Sequence, residues 1–258
     1  MTVTQNLTIR EAAENDYSAL ARIQTAANPD HPITTESLQH EHQFLRQSNV
    51  NPYVNAWLAE RSGEVLGMAV ALQFPGMFHP DRYHVEINVR PEYFRQGVGT
   101  ALADMLQEHL QARGAKEVLA GGYEDQPAGL NFLERYGFSE VIRFFDNVLE
   151  LDKVNFSDWQ AELHLPDGLR AVSFAALKHE LGDEIATRAF YDAFSEARAD
   201  VPRTAPATEL SYDDFRKRFG DPGAQPELIY LAVTPAAKSR PCPNCGSVTP
   251  GRTAWKSA

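Results

Sequence analysis

The chain has 258 residues, of which 43% are hydrophobic and 10% aromatic, so it has the material for one large or two ordinary domains and is not globally disordered. Its formal net charge of −11 argues against nucleic-acid binding and against attraction to an anionic membrane surface. No apolar run of about eighteen residues and no secretory signal occur, and both cysteines stand near the C-terminus, so we expect a cytoplasmic protein outside the membrane.

The first part of the chain predicts a strand, two helices and a β-hairpin. Asn15-Asp16 offers a helix cap before apolar residues at helical spacing, and Arg61-Ser62-Gly63-Glu64 is a hairpin turn between two alternating apolar segments. The predicted strands are 7–10, 55–60 and 65–74, and the predicted helices are 17–23 and 34–45.

The central stretch predicts a strand, a tight glycine turn and an amphipathic helix. Residues 83–89 alternate like a strand, and residues 98–110 carry apolar side chains at helical spacing before Gly114, a typical C-terminal cap. A turn of this kind presents unpaired backbone N–H groups at the positive end of a helix, which favours phosphate oxygens. The spacing matches neither the P-loop nor the dinucleotide fingerprint, and by itself it fits a simple tight turn equally well.

The remaining elements of the first half complete one domain over residues 1–151. A strand is predicted at 117–121, a helix at 127–136, and a last strand from 139 to 144 that continues to 151. The loop 122–126 lies at the carboxyl end of a strand, where ligands usually bind in open sheets.

Two motifs resemble the GCN5-related N-acetyltransferase (GNAT) family. The stretch from Val89 to Thr100 is similar to that family's pyrophosphate loop, in which Val-x-Pro ends a central strand and a Gly-x-Gly turn binds the diphosphate of acetyl-CoA. Asn131 through Phe138 resembles the helix and Gly-Phe signature that closes the family's core. Over residues 7–151 the resemblance implies an α/β (α+β) fold, with a mixed central sheet flanked by helices.

The resemblance also implies acetyl-CoA as co-substrate, without a metal. The backbone of residues 87–89 would pair with the pantetheine arm, and N–H groups of residues 95–100 would hold the diphosphate. Phe94 departs from the family pattern, which has Arg or Gln there. Either Arg95 and Gln96 compensate, because most phosphate bonds in such loops come from the main chain, or the coenzyme affinity is lower. The predicted coenzyme-binding residues are Ile87, Asn88, Val89, Arg95, Gln96, Gly97, Val98, Gly99 and Thr100.

The predicted catalytic residues are Glu86, Glu124 and Tyr123. Glu86 is the first candidate for a general base, directly or through water, although it fits an exposed strand glutamate equally well. Glu124 is a second candidate for the base. His84 shares the face of Glu86 and is a candidate for a proton relay, although a lone histidine is more often structural.

The usual acid of the family, a tyrosine four residues before the Gly-Phe pair, is replaced by Leu133, and Tyr136 is interpreted as a packing residue. Water or Tyr123 then serves as the acid, or the domain binds coenzyme without efficient transfer.

The resemblance predicts an acetyl-CoA-dependent N-acetyltransferase that acts on a small-molecule or peptide amine by direct transfer. The alternative is a non-catalytic acyl-CoA sensor, which Phe94 and Leu133 favour. Neither nucleic acid nor a membrane is an expected partner, and a homodimer is left open.

The second half repeats the opening of the first, and this order predicts a partial second GNAT-like domain at 169–233, after a linker at 152–168. In this second domain, residues 176–199 are predicted to form a helix that corresponds to the first helix of the chain. Residues 234–258 are expected to form an irregular tail, as in a truncated or frame-altered tandem protein. Cys242-x-x-Cys245 in that tail is half of a zinc-ribbon spacing without a second pair, so no zinc site is predicted.

Overall fold

A computed structural model describes residues 7–145, 149–157, 165–166, 168–219, 225–234, 239–240 and 253–257 of the chain. These residues belong to two compact units, the first drawn from Met1–Arg143 and Arg252–Ala258 and the second from Phe144–Gly251. The first unit therefore ends eight residues before the predicted domain boundary at 151 and gains a segment from the C-terminus.

After an opening strand and two helices, the first unit has three consecutive strands, and then helices and strands alternate. They are β1 (Thr8–Glu11), α1 (Tyr17–Ala27), α2 (Thr35–Arg46), β2 (Val54–Arg61), β3 (Glu64–Leu72), β4 (Arg82–Val89), α3 (Val98–Ala112), β5 (Glu117–Gly122), α4 (Pro127–Arg135) and β6 (Phe138–Ile142). The second unit contains β7 (Arg170–Ser173), α5 (Phe174–Leu181), α6 (Asp183–Asp200), α7 (Tyr212–Phe219), β8 (Tyr230–Val233) and β9 (Ser239–Arg240). The strand β10 (Thr253–Ser257) returns to the first unit.

The first unit is built on a mixed sheet in the order β1-β2-β3-β4-β5-β10-β6. Neighbouring strands run antiparallel except β4 and β5, which run parallel and are connected through α3. The predicted mixed central sheet flanked by helices is confirmed.

Both faces of the sheet are buried because the central strands alternate between two sets of apolar side chains. Leu58, Met68 and Val70 pack with α1 and α2 on one face. Trp57, Ala69 and Ala71 pack with α3 on the other, where Val98, Leu102, Leu106 and Leu110 supply the buried stripe of the helix. The sheet therefore holds β4 and the start of α3 between two cores.

The end of the first unit differs from the sequence prediction. The last strand ends at Ile142 instead of 151, because β10 takes the place beside β6 and the exposed Phe144 and Phe145 carry the chain out of the sheet. The expectation of an irregular tail is also corrected at 239–240 and 253–257, which are strands. The cysteine pair Cys242 and Cys245 lies outside the described residues.

In the second unit, the predicted helix at 176–199 is two helices. Gly182, with φ of 82°, ends α5 and precedes α6, and a backbone of this kind cannot continue a helix. Phe174, Phe190 and Phe215 form the centre of an aromatic core under the antiparallel sheet β7-β8-β9. The unit therefore has a core of its own.

Candidate active site

The parallel strands β4 and β5 separate at the centre of the sheet. Their pairing runs from Arg82 opposite Glu117 to Val85 opposite Ala120, and β4 continues to Val89 beyond the last pair. A gap between two parallel strands exposes the peptide groups of one edge, which an extended ligand can pair with as a further strand would. Residues 86–89 therefore border a ligand-sized opening in the sheet.

The ladder between β3 and β4 shows which peptide groups face that opening. The N–H of Arg90 donates to the carbonyl of Leu66 at 2.9 Å, and β3 and β4 stay in register from Gly67 opposite Val89 to Leu72 opposite His84. Main-chain groups in such a ladder alternate between the two sides of a strand, so even-numbered residues of β4 face β3 and odd-numbered residues face β5. Ile87 and Val89 are therefore the residues that offer peptide groups to the opening.

The same alternation places the main chain of Asn88 on the other side of β4. It is turned to β3, because Asn88 stands opposite Met68 in the ladder. Its side chain lies on the face that carries α1 and α2 and is 7% exposed. Asn88 therefore presents a buried side-chain amide on this face of the sheet.

The turn after β4 leaves several peptide N–H groups without helical partners. The first N–H bond inside α3 is donated by Ala101 to the carbonyl of Gly97 at 3.0 Å, so the N–H groups of Val98, Gly99 and Thr100 precede the helical bonding pattern. No side chain among the described residues caps this end of α3. These N–H groups lie at the positive end of a helix of 15 residues, which favours an anion.

Backbone strain and side-chain bonds shape this turn. Arg95 has φ of 61° and Gly97 has φ of 83°, and the first of these is uncommon for a residue with a side chain. The Gln96 side chain donates to the carbonyl of Glu92 at 3.0 Å and accepts from Arg61 at 3.2 Å. Gln96 therefore braces the turn with its side chain, while the Arg95 side chain is exposed and has no partner among the described residues.

Small residues let neighbouring elements approach the turn closely. A Cβ atom at Gly99 would stand 3.6 Å from the ring of Phe132 on α4 and 3.7 Å from Val89. The predicted segment 131–138 therefore lies over the beginning of α3, as its resemblance to the family's closing motif implies.

One face of β4 carries a row of polar side chains: Arg82, His84, Glu86 and Asn88. The amide of Asn88 donates to the Glu86 carboxylate at 2.7 Å, and Arg82 forms an ion pair with Glu117 at 3.1 Å. Burial, and then the positive charge of Arg82, lower the pKa of His84 to about 4, so its ring is neutral at pH 7. Its Nε2 atom is buried and has no hydrogen-bond partner among the described residues.

The other two predicted catalytic residues lie in the loop after β5. The ring of Tyr123 stacks on His31, with centroids 6.1 Å apart, and the Gln126 side chain donates to Asn28 at 3.3 Å. These contacts connect the loop after α1 with the loop after β5. Glu124 instead forms an ion pair with Arg143 at 3.2 Å and has 78% of its side chain exposed. Glu124 is therefore placed as a solvated surface carboxylate, and Tyr123 is held by a neighbouring ring.

Tyr136 is held away from Tyr123 by a hydrogen bond to α3. Its hydroxyl donates to Asp104 at 2.9 Å, and burial together with this bond raises the pKa of the phenol. This contact supports the interpretation of Tyr136 as a packing residue.

The sequence did not indicate the Asn88 side chain or His31 as parts of the site. The signal for Asn88 was present, since polar residues occupy every second position from 82 to 88 of a strand that is otherwise apolar. His31 gave no signal, because it meets Tyr123 across 92 positions of sequence.

No group of three or more potential metal-ligating side chains lies together in the described part of the chain. Within the same residues, no helix combines the length and apolarity that a membrane span requires.

Comparisons with known proteins agree with this geometry. Residues 17–138 match the model of the Acetyltransferase (GNAT) family. The mycothiol acetyltransferase of Kocuria rhizophila is 28% identical over 222 residues, which are 85% of this chain and 65% of that protein. The chain therefore spans less than two thirds of the length of this relative.

A solved structure has the same fold over most of the chain. A GCN5-related N-acetyltransferase from Sphaerobacter thermophilus aligns with a TM-score of 0.56 at 18% identity, over 90% of this chain and 69% of that chain. A putative acetyltransferase from Salmonella typhimurium, yncA, whose structure contains its cofactor acetyl-CoA, aligns with a TM-score of 0.44 at 18% identity, over 56% of this chain and 86% of that chain.

The matched segment contains the divided strands, the turn at residues 95–100 and the polar row on β4. This segment, at residues 17–138, is therefore similar to the acetyltransferases of the GNAT family.

Proposed function

We propose that the first unit transfers an acetyl group from acetyl-CoA directly to an amine bound in the same complex. The observation that carries this proposal is the opening beyond Val85, which leads to the N–H groups at the start of α3. GNAT enzymes use acetyl-CoA, and an extended arm that ends in a diphosphate matches an exposed strand edge followed by an anion site.

The residues that would hold the coenzyme follow from the geometry of the site. Ile87 and Val89 would bind the arm with their peptide groups, and the N–H groups of Val98, Gly99 and Thr100 would bind the diphosphate. Arg95 would add charge from its exposed side chain. When bound, acetyl-CoA supplies an acetyl thioester whose carbon–sulfur bond breaks as the carbon–nitrogen bond to the amine forms.

Glu86 would act as the general base. It lies one residue past the last pair between β4 and β5, and the bond from Asn88 holds its carboxylate. A carboxylate at this place can take the proton that an ammonium must lose before its nitrogen becomes a nucleophile. His84, neutral and two residues away on the same face, can pass that proton on through water.

Tyr123 would be the acid for the departing thiolate. Its stacking on His31 fixes a ring whose hydroxyl can donate a proton. A thiolate is a good leaving group, with a pKa of about 8.5 in free thiols, so the acid assists the reaction and is not indispensable.

The acceptor would be a small-molecule or peptide amine. The relative from Kocuria rhizophila is named for mycothiol, and this makes an amine related to mycothiol the first acceptor to test. For this chain we propose only an acceptor amine of this kind, and not the full activity of the relative, since the chain spans 65% of the relative's length.

The second unit would be a partial second GNAT-like domain. In this unit three helices, α5, α6 and α7, lie between the strands β7 and β8, just as α1 and α2 lie between β1 and β2. The strands β7 and β8 also pair antiparallel, as β1 and β2 do. The similarity to the Sphaerobacter thermophilus structure extends over 90% of this chain, which includes much of this unit. Titration calorimetry of the full chain should therefore give one acetyl-CoA site, and a second site would contradict the assignment.

A thiol-release assay with acetyl-CoA and a panel of amines tests the proposed function. Turnover that falls at least about 100-fold in Glu86→Gln, with acetyl-CoA binding retained, is the expected result. Glu140→Gln, an exposed strand glutamate paired with Arg143, is the matched control and should keep the wild-type rate. Tight binding of acetyl-CoA without turnover on any amine would instead support the sensor, which the family match does not favour.

A further inference from the structure

The hydrogen bond from Asn88 to Glu86 is a short contact between two neighbours on one face of β4. The amide nitrogen lies 2.7 Å from Oε1 of Glu86, while Asn88 is 7% exposed. A bond to a carboxylate is stronger than one between neutral groups, and burial shields it from competition by water. The carboxylate is therefore held in one orientation by a group that is itself fixed.

The backbone of Asn88 explains why its amide is so well placed. Its main chain faces β3, and its carbonyl oxygen would stand 2.9 Å from a Cβ atom at Gly67. The side chain is itself restricted by burial, since Asn88 is 7% exposed and its neighbours leave it little room to rotate. This packing also keeps the Asn88 peptide group away from the opening between β4 and β5.

We propose that Asn88 is a positioning residue for the general base Glu86 and does not bind the coenzyme. By bonding to Oε1, its amide orients the carboxylate that takes the proton of the acceptor ammonium. The inference rests on the proposed function, because it assigns Asn88 a role in the step that Glu86 performs. It reassigns a residue that the family resemblance places among the coenzyme ligands.

The role of a coenzyme ligand and the role of a positioning residue predict different kinetics for variants of Asn88. A coenzyme ligand affects the affinity for acetyl-CoA, whereas a residue that acts through Glu86 affects turnover and leaves coenzyme binding intact. A positioning residue also loses its effect once its target is gone, so the two substitutions are not additive.

The test measures kcat, the KM for the amine and the Kd for acetyl-CoA in Asn88→Ala, Glu86→Gln and the double variant. We expect Asn88→Ala to lower kcat about 10- to 100-fold, with Kd for acetyl-CoA within about 3-fold of wild type. In the Glu86→Gln background the same substitution should change kcat less than about 3-fold. Asn88→Asp, which keeps the shape but places two carboxylates together, should also lower kcat and serves if the alanine variant fails to fold.

Asn55→Ala is the matched control. Asn55 is a partly buried asparagine of β2 in the same sheet, and its side chain accepts from the N–H of Ala56 and bonds to the Tyr53 hydroxyl, away from Glu86. This variant should keep the wild-type kcat.

Each outcome decides a different claim. Wild-type protein that binds acetyl-CoA without turnover overturns the proposed function, and the inference with it. An active enzyme overturns the inference alone if Asn88→Ala weakens acetyl-CoA binding at unchanged kcat, or lowers kcat equally with and without Glu86.

Discussion

Gly67 on β3 lies so close to Asn88 on β4 that a Cβ atom at position 67 would stand 2.9 Å from the Asn88 carbonyl oxygen. The same atom would stand 3.2 Å from Val98 and 3.3 Å from Val89. Position 67 is therefore where the strand of the proposed base, the edge proposed to bind the coenzyme and the first turn of α3 meet.

Gly67→Ala should disturb both stability and coenzyme binding. The added methyl group meets backbone, which cannot rotate away, so we expect a loss of about 1–3 kcal/mol in the free energy of unfolding and a higher Kd for acetyl-CoA. Urea denaturation and titration calorimetry measure the two effects. Gly129→Ala is the control, because a Cβ atom in α4 would meet nothing within 4 Å. That variant should gain up to about 1 kcal/mol in stability and bind normally, whereas equal behaviour of the two variants would contradict the close packing at Gly67.

Gly97→Ala should weaken acetyl-CoA binding through the shape of the turn. A Cβ atom there would meet nothing within 4 Å, but φ of 83° costs a residue with a side chain about 1–2 kcal/mol. Gly114→Ala has the same character, with φ of 76° and open space, beyond the opposite end of α3. Both variants should lose similar stability, and only Gly97→Ala should raise the Kd. A raised Kd in Gly114→Ala as well would show that the effect is global.

The two tyrosines near α4 should differ in their effect on catalysis. Tyr123→Phe should lower kcat at least about 10-fold, because it removes the proposed acid. Tyr136→Phe should keep kcat and lose about 1 kcal/mol of stability, because it removes only the contacts of the hydroxyl with Asp104 and the Thr100 carbonyl. Steady-state kinetics on both variants decides the assignment, and a loss of kcat in Tyr136→Phe alone would transfer the acid role to that residue.

His42 should make stability depend on pH. Its ring is 4% exposed and shares a hydrogen bond of 3.0 Å with Tyr17, and burial, followed by the charge of Arg46, lowers its pKa to about 4. The folded state thus favours the neutral ring, so the contribution of His42 is complete above about pH 6.5 and is lost as the pH falls towards 4.

In urea denaturation, lowering the pH from 7 to 4.5 should reduce the free energy of unfolding of wild type by on the order of 2 kcal/mol more than that of His42→Leu. His40→Leu, an exposed histidine on the same helix, should keep the wild-type pH dependence. Identical slopes for wild type and His42→Leu would contradict a neutral buried ring.

The sequence predicted the central strand, the turn and the amphipathic helix because each has a local signal. Alternation marks β4, and the apolar spacing of Val98, Leu102, Leu106 and Leu110 marks α3. The polar residues at every second position of β4 also predict that Glu86 lies on the polar face of that strand.

The side of β4 that each peptide group faces could not be read locally. The side depends on the partner strand and its register, which the sequence does not state. For this reason the sequence could not show that the Asn88 main chain is turned to β3. The end of β6 at Ile142 likewise depended on β10, a strand more than a hundred positions away. The contact of His31 with Tyr123 is of the same long-range kind.

The most direct test of the account is a crystal structure of the protein soaked with acetyl-CoA. We predict the diphosphate against the N–H groups at the start of α3, the arm along Ile87 and Val89 in the opening between β4 and β5, and the thioester beside Glu86. A coenzyme bound elsewhere, or an empty opening at saturating acetyl-CoA, would contradict the account.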